Sequence, residues 1–130
     1  MAKKRILIVD DEAPYTRLLK LSLMQTARYE VEVENNSAAA LALAEQFLPD
    51  LILLDVMMPG TDGGELAARL KANARLAQVP VVFLTAAVKR EELRSREGII
   101  GGLPFLAKPV ELAEVMKCID GILGTPASKP

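Results

Sequence analysis

The stretch Leu51-Ile52-Leu53-Leu54 runs straight into a single carboxylate, Asp55, and Val56-Met57-Met58 then leads to Pro59-Gly60-Thr61-Asp62-Gly63. A short, unbroken apolar run of this kind suits a strand buried on both faces of a parallel sheet. The Pro-Gly pair stops the strand, which places Asp55 at its carboxyl end, the edge where open α/β sheets hold their ligands. An acid at a strand end also serves simply to cap the helix that follows. The segment alone leaves both roles open.

The rest of the chain repeats the pattern. Ile6 to Val9 is a second apolar run, and it ends in Asp10-Asp11. Pro14 falls in the first turn of a predicted helix in which Leu18, Leu19 and Leu23 recur to about Ala27. Glu30 to Glu34 alternates, with Val31 and Val33 on one side, as in a strand near the sheet edge. Ser37 is a good N-cap for an alanine- and leucine-rich helix to about Leu48. Asp62 can cap a helix covering roughly Gly64 to Asn73. A further apolar strand, Val81-Val82-Phe83-Leu84, ends at Thr85, and a highly charged helix is expected from Lys89 to Glu97, stopped by Gly98. A last strand, about Leu103 to Leu106, ends at Lys108-Pro109, and Pro104 confines it to an edge or a strand start. The final helix carries Leu112, Val115, Met116, Ile119, Ile122 and Leu123 at core spacing before Gly124. Strand and helix thus alternate five times, which predicts an α/β parallel sheet with helices on both faces. Residues 1–123 form one domain in this reading, and 124–130 a tail or linker.

Composition removes several functions. Acidic and basic residues nearly balance, 17 against 16, so no large basic stripe for direct nucleic-acid binding is expected. The single cysteine, Cys118, excludes an intramolecular disulfide and a cysteine zinc cluster. The absence of histidine removes the commonest general base and metal ligand, so any bound metal should be a hard, oxygen-ligated one. The apolar run behind the basic start is too short for a signal peptide, and no run reaches membrane-span length. A cytoplasmic protein without membrane contact is expected.

The strand ends carry Asp10-Asp11, Asp55, Thr85 and Lys108-Pro109, a specific set of three carboxylates, one hydroxyl and one lysine. With Ile8-Val9-Asp10-Asp11-Glu12, Leu53 to Gly63, Leu84-Thr85-Ala86 and Leu106-Ala107-Lys108-Pro109, the chain from Arg5 to about Leu123 resembles the CheY-like receiver domain of two-component response regulators. The resemblance implies a doubly wound (βα)5 flavodoxin-like fold with strand order 2-1-3-4-5. It implies that Asp55 accepts a phosphoryl group, and that Asp10, Asp11, Asp55 and the backbone carbonyl of Met57 hold Mg²⁺ or Mn²⁺. Lys108 and Thr85 would assist, and Lys108-Pro109 is the candidate for a cis peptide bond. Since the chain has no histidine, the donor would be a sensor histidine kinase, a phosphotransfer protein or a small acyl phosphate.

The resemblance also implies a switch in which Thr85 moves and Phe105 swings inward, changing the surface of the fourth helix, fifth strand and fifth helix. A downstream protein or fused output domain would read that surface. Ile99-Ile100 and Gly102-Leu103-Pro104 depart from the family there, and if exposed would suit a partner or a homodimer. The resemblance makes Met57 and Ala87 the positions that influence water access, and neither offers an acid or amide, so unremarkable to slow self-hydrolysis is expected. Three other functions compete with this one. An aspartyl-nucleophile Mg-dependent phosphatase needs a second acid where Met57 stands. A receiver-like interaction domain that is never phosphorylated would have no need of the full set. A nucleotide-binding flavodoxin-like domain needs a glycine-rich loop after the first strand.

Overall fold

The computed structural model describes residues 3–58, 61–86, 99–100 and 103–124, without the side chains of residues 61, 62, 99 and 100. Its elements are β1 (Lys4–Val9), α1 (Ala13–Gln25), β2 (Tyr29–Glu34), α2 (Ser37–Phe47), β3 (Leu51–Asp55), β4 (Met57–Met58), β5 (Thr61–Asp62), α3 (Gly63–Ala72), β6 (Val81–Thr85), β7 (Ile99–Ile100), β8 (Leu103–Ala107) and α4 (Leu112–Leu123). The helix expected over 89–97, its Gly98 stop, Ala87, Gly102 and the tail 125–130 lie outside the described residues.

The main sheet runs β2-β1-β3-β6-β8-β7, and its first five strands pair in parallel in the expected order. The expectation of a purely parallel five-stranded sheet needs two corrections. β7 adds to β8 in antiparallel sense, Ile99 opposite Pro104 and Ile100 opposite Leu103. A separate small ladder pairs Met57 with Asp62 and Met58 with Thr61.

Pleating sends alternate residues of each inner strand to opposite faces. Leu7, Val9, Ile52, Leu54, Val81 and Phe83 pack with Ala40, Ala44 and Phe47 of α2 and with Leu66 and Leu70 of α3. Ile6, Ile8, Leu51, Leu53, Val82 and Leu84 pack with Leu19 and Leu23 of α1 and with Val115 and Ile119 of α4. Both faces are covered, which is why these strands read as continuous apolar runs. Each fully buried side chain of this size contributes roughly 1.5–3 kcal/mol. In β2, Tyr29 and Val31 are buried while Glu30 and Glu32 are exposed, as the alternation predicted for an edge strand.

Local boundaries differ by a residue or two. The N-cap of α2 is Asn36 rather than Ser37: Asn36 is extended (φ −114°) and its side chain accepts the Ala38 N–H at 3.0 Å. Both residue types cap well, and the extended backbone one position earlier decides between them. Helix α1 ends at Gln25, and Ala27 then turns the chain with φ 62°. Helix α3 begins at Gly63, directly after Asp62, whose backbone pairs with Met57. Among the described residues no helix is long and apolar enough to cross a membrane.

Candidate functional site

Four parallel strands end side by side, and each end delivers a functional group. β1 leads into Asp10, whose N–H donates to the Glu34 carbonyl at 3.1 Å and whose side chain is fully buried. Its Oδ1 accepts the Glu12 N–H at 3.0 Å. Its main-chain carbonyl accepts from Asn35 Nδ2 at 2.8 Å, and the same amide reaches Thr16 Oγ1 at 2.9 Å. Asn35 therefore ties the end of β2 to the β1–α1 turn. β3 ends in Asp55, also buried, whose Oδ1 accepts the Met57 N–H at 3.2 Å. β6 ends in buried Thr85, whose carbonyl accepts the Lys108 N–H at 2.8 Å. The Lys108-Pro109 bond is cis, as anticipated.

The chain returns tightly beneath Asp55. Gly63 donates its N–H to the Val56 carbonyl at 3.0 Å. A Cβ at Gly63 would meet the Asp55 carbonyl oxygen at 2.6 Å and Val56 Cα at 2.8 Å. Those neighbours are backbone atoms that cannot rotate away, so this close approach requires glycine.

One ligand oxygen each from Asp10, Asp11 and Asp55 lies within 4.8 Å of the others. Lys108 Nζ stands 2.8 Å from Asp10 Oδ2 and 3.8 Å from Asp55 Oδ2, with Glu12 Oε1 closer still at 2.5 Å. Burial pushes the Asp55 carboxyl up to about 6, helped by the Asp10 charge and by the hydrogen bond that the protonated Asp55 donates to Asp11, against the Met57 N–H and Lys108. Burial alone would lower Lys108, but the Asp10 and Glu12 carboxylates more than offset it and hold the ammonium more firmly protonated than usual.

The donor set suits a hard divalent cation. Oxygens sharing one Mg²⁺ can be at most ~4.2 Å apart, so this cluster needs only slight closure or a bridging water. Asp10 Oδ2 is buried and makes no well-directed hydrogen bond, its near neighbour being the Lys108 ammonium at 2.8 Å. A buried carboxylate oxygen needs such a positive partner, and a bound cation would be a second one.

All five predicted groups, Asp10, Asp11, Asp55, Thr85 and Lys108, thus belong to one carboxyl edge. Met57 is strongly exposed and adjoins Asp55 through its N–H. Phe105 is half-buried and stacks on Phe83 with ring centroids 5.1 Å apart. Thr85 pairs with Ala107 and Phe83 with Phe105, so Thr85 and Phe105 point to the same face of the sheet, one step apart. Sequence reading did not find Glu12, Asn35 or Tyr15. Tyr15 accepts the Val110 N–H at 3.2 Å, and its ring lies 5.0 Å from Lys108 Nζ.

With the geometry in place, residues 6–120 match the sequence profile of the response regulator receiver domain. The chain belongs to that family. It is 40% identical over 125 residues to the phosphate regulon transcriptional regulatory protein PhoB of Pseudomonas aeruginosa, covering 95% of this chain and 53% of PhoB. The chain therefore spans about half the length of that relative. The chemotaxis protein CheY4 of Vibrio cholerae superposes with a TM-score of 0.77 at 27% identity, over 93% of this chain and 99% of that one. The receiver domain of a sensor histidine kinase from Pseudomonas aeruginosa also reaches 0.77, at 25% identity over 95% of this chain and 100% of that one. That structure carries a magnesium ion in its active-site cleft. The chain is accordingly a receiver domain of two-component signalling, with an acidic cluster compatible with a magnesium ion.

Proposed function

We propose that this receiver domain is switched by phosphorylation of Asp55. The reading is carried by the convergence of three carboxylates, a hydroxyl and an ammonium at the ends of β1, β3, β6 and β8. A carboxylate oxygen of Asp55 attacks the phosphorus of the donor. The P–N bond of a phosphohistidine, or the P–O bond of an acyl phosphate, breaks, and the leaving group keeps the electron pair. Because residues 1–130 contain no histidine, the donor lies outside this stretch: a sensor histidine kinase, a phosphotransfer protein or a small acyl phosphate.

Asp10, Asp11, Asp55 and the Met57 carbonyl would hold Mg²⁺, or Mn²⁺ in its place. When bound, the ion supplies positive charge to the phosphoryl oxygens. Lys108 presents a second positive charge to the same oxygens, and the Thr85 hydroxyl donates to the new phosphate. Water attacking phosphorus later releases phosphate and returns Asp55 as a carboxylate. Phosphate adds nearly two negative charges, which draw Thr85 toward the site and free space for the Phe105 ring one step away on the same face. The changed surface would control a downstream protein or a fused output domain, with 1–123 as the switch and 124–130 as tail or connection. A homodimer through the same surface is one form of that output, and exposed Leu103 supplies an apolar contact for it.

Incubation with acetyl phosphate or phosphoramidate and Mg²⁺, followed by intact mass, tests the assignment. One phosphate is expected on the parent and none on Asp55→Asn. Uptake undiminished in Asp55→Asn would overturn it.

A further inference from the structure

Glu12 is a charged group at the site for which the phosphoryl chemistry has no use. It occupies the N-cap of α1, where an acceptor side chain ordinarily takes a free helix N–H, yet it makes no such bond. Its backbone is held on both sides: the N–H donates to Asp10 Oδ1 at 3.0 Å and the carbonyl accepts the Thr16 N–H at 3.0 Å. The carboxylate reaches away from its own helix to Lys108, 96 residues distant in sequence. Lys108 Nζ is 2.5 Å from Glu12, 2.8 Å from Asp10 and 3.8 Å from Asp55. Only the last distance is beyond hydrogen-bond reach.

We propose that Glu12 is a positioning residue that holds Lys108 in a resting place off Asp55, so that phosphoryl transfer requires the ammonium to exchange Glu12 for a phosphoryl oxygen. This rests on Asp55 being the phosphoacceptor. The two carboxylates that hold Lys108 are not equivalent. Asp10 is fully buried and cannot be rehydrated if the ammonium leaves, so it is the fixed contact. The Glu12 side chain is 59% exposed, so water replaces the ammonium there at little cost, and it is the contact that yields. The four-carbon stem and three rotatable donors of lysine allow such an exchange without moving the backbone.

Acetyl phosphate uptake should become faster in Glu12→Ala by about two- to tenfold, the lower part of the range for coupled neighbours, with Glu12→Gln between. In a Lys108→Ala background the same Glu12→Ala change should lose most of its effect. An undiminished effect there would mean simple repulsion of an anionic donor and would overturn the proposal. A second readout follows the Lys108 ammonium signal by NMR in ¹⁵N-lysine-labelled protein, identified by its absence from Lys108→Ala. Glu12→Gln should move that signal in the resting protein and leave it in place with Mg²⁺ and beryllofluoride bound. No movement, or equal movement in both states, overturns the proposal. If the parent takes up no phosphate, or Asp55→Asn still does, the phosphoacceptor assignment is what fails. Uptake at Asp55 with no Glu12 effect overturns the positioning role alone.

Discussion

The two edges of the sheet handle charge differently. At the amino edge, one close pair of opposite charges stands beside two other contacts of charged residues. Arg28 Nη2 meets Asp120 Oδ1 at 2.6 Å, Asp50 Oδ2 accepts the Arg5 N–H at 2.7 Å, and the Arg5 guanidinium lies 4.5 Å over the Phe47 ring. At the carboxyl edge, Asp10, Glu12 and Asp55 crowd Lys108, and Asp11 adds a further acid. Paired charges lock a fold, whereas surplus acid stores a demand for positive charge. The same strands thus support a settled edge and an edge awaiting a cation or a reaction.

Removing one cation from each edge gives the largest expected contrast. Lys108 is almost buried, so Lys108→Ala should cost about 3 kcal/mol at pH 8 without metal, by leaving buried carboxylates unpaired. Arg28→Ala removes a partly exposed pair and should cost only about 1 kcal/mol. Urea unfolding followed by circular dichroism reads both, and Mg²⁺ should restore part of the first loss and none of the second. Equal costs would erase the distinction between the edges.

Two glycines sharpen it further. Gly63→Ala forces a Cβ into the backbone of Asp55 and Val56 and should cost about 2 kcal/mol. Gly121 lies in α4 with open space around its Cβ position, so Gly121→Ala should gain about 0.5–1 kcal/mol. A comparison of the two unfolding midpoints checks the opposite signs.

Asp55 gives a smaller, pH-dependent effect. Its carboxyl is pushed up to about 6 in the native state, against about 3.9 when unfolded. Between those values the native state binds the extra proton. The group therefore favours folding most at low pH, and stability falls as pH rises through about 6. Metal-free Asp55→Asn should gain about 1–2 kcal/mol at pH 7.5 and clearly less at pH 5. A gain independent of pH would contradict burial of the charge as its cause.

Much of this was legible in the sequence because the physics is local. Leu51 to Leu54 and Ile6 to Val9 are apolar throughout because both sheet faces are covered, and Asp55, Asp10, Thr85 and Lys108 follow their strands directly. What was not legible depends on pairing at a distance or on one-residue choices. Glu12 looks like a solvated acid until the fold brings Lys108 to it. Asn36 and Ser37 are both good caps, and only the backbone angle separates them. Pro59-Gly60 signals a break equally well whether or not the flanking residues pair.

The bond between Arg28 and Asp120 has a mechanical side. An acid in the last turn of a helix opposes the helix dipole, so Asp120 depends on Arg28 and on the Tyr29 hydroxyl 3.4 Å away. It fastens the end of α4 that lies farthest from the acidic cluster. The helix start at Leu112 stands eight residues up the axis, about 12 Å along it. The contact therefore ties the last turn of α4 to the start of β2, with β1, β3 and β6 standing between β2 and β8, the strand that leads into α4.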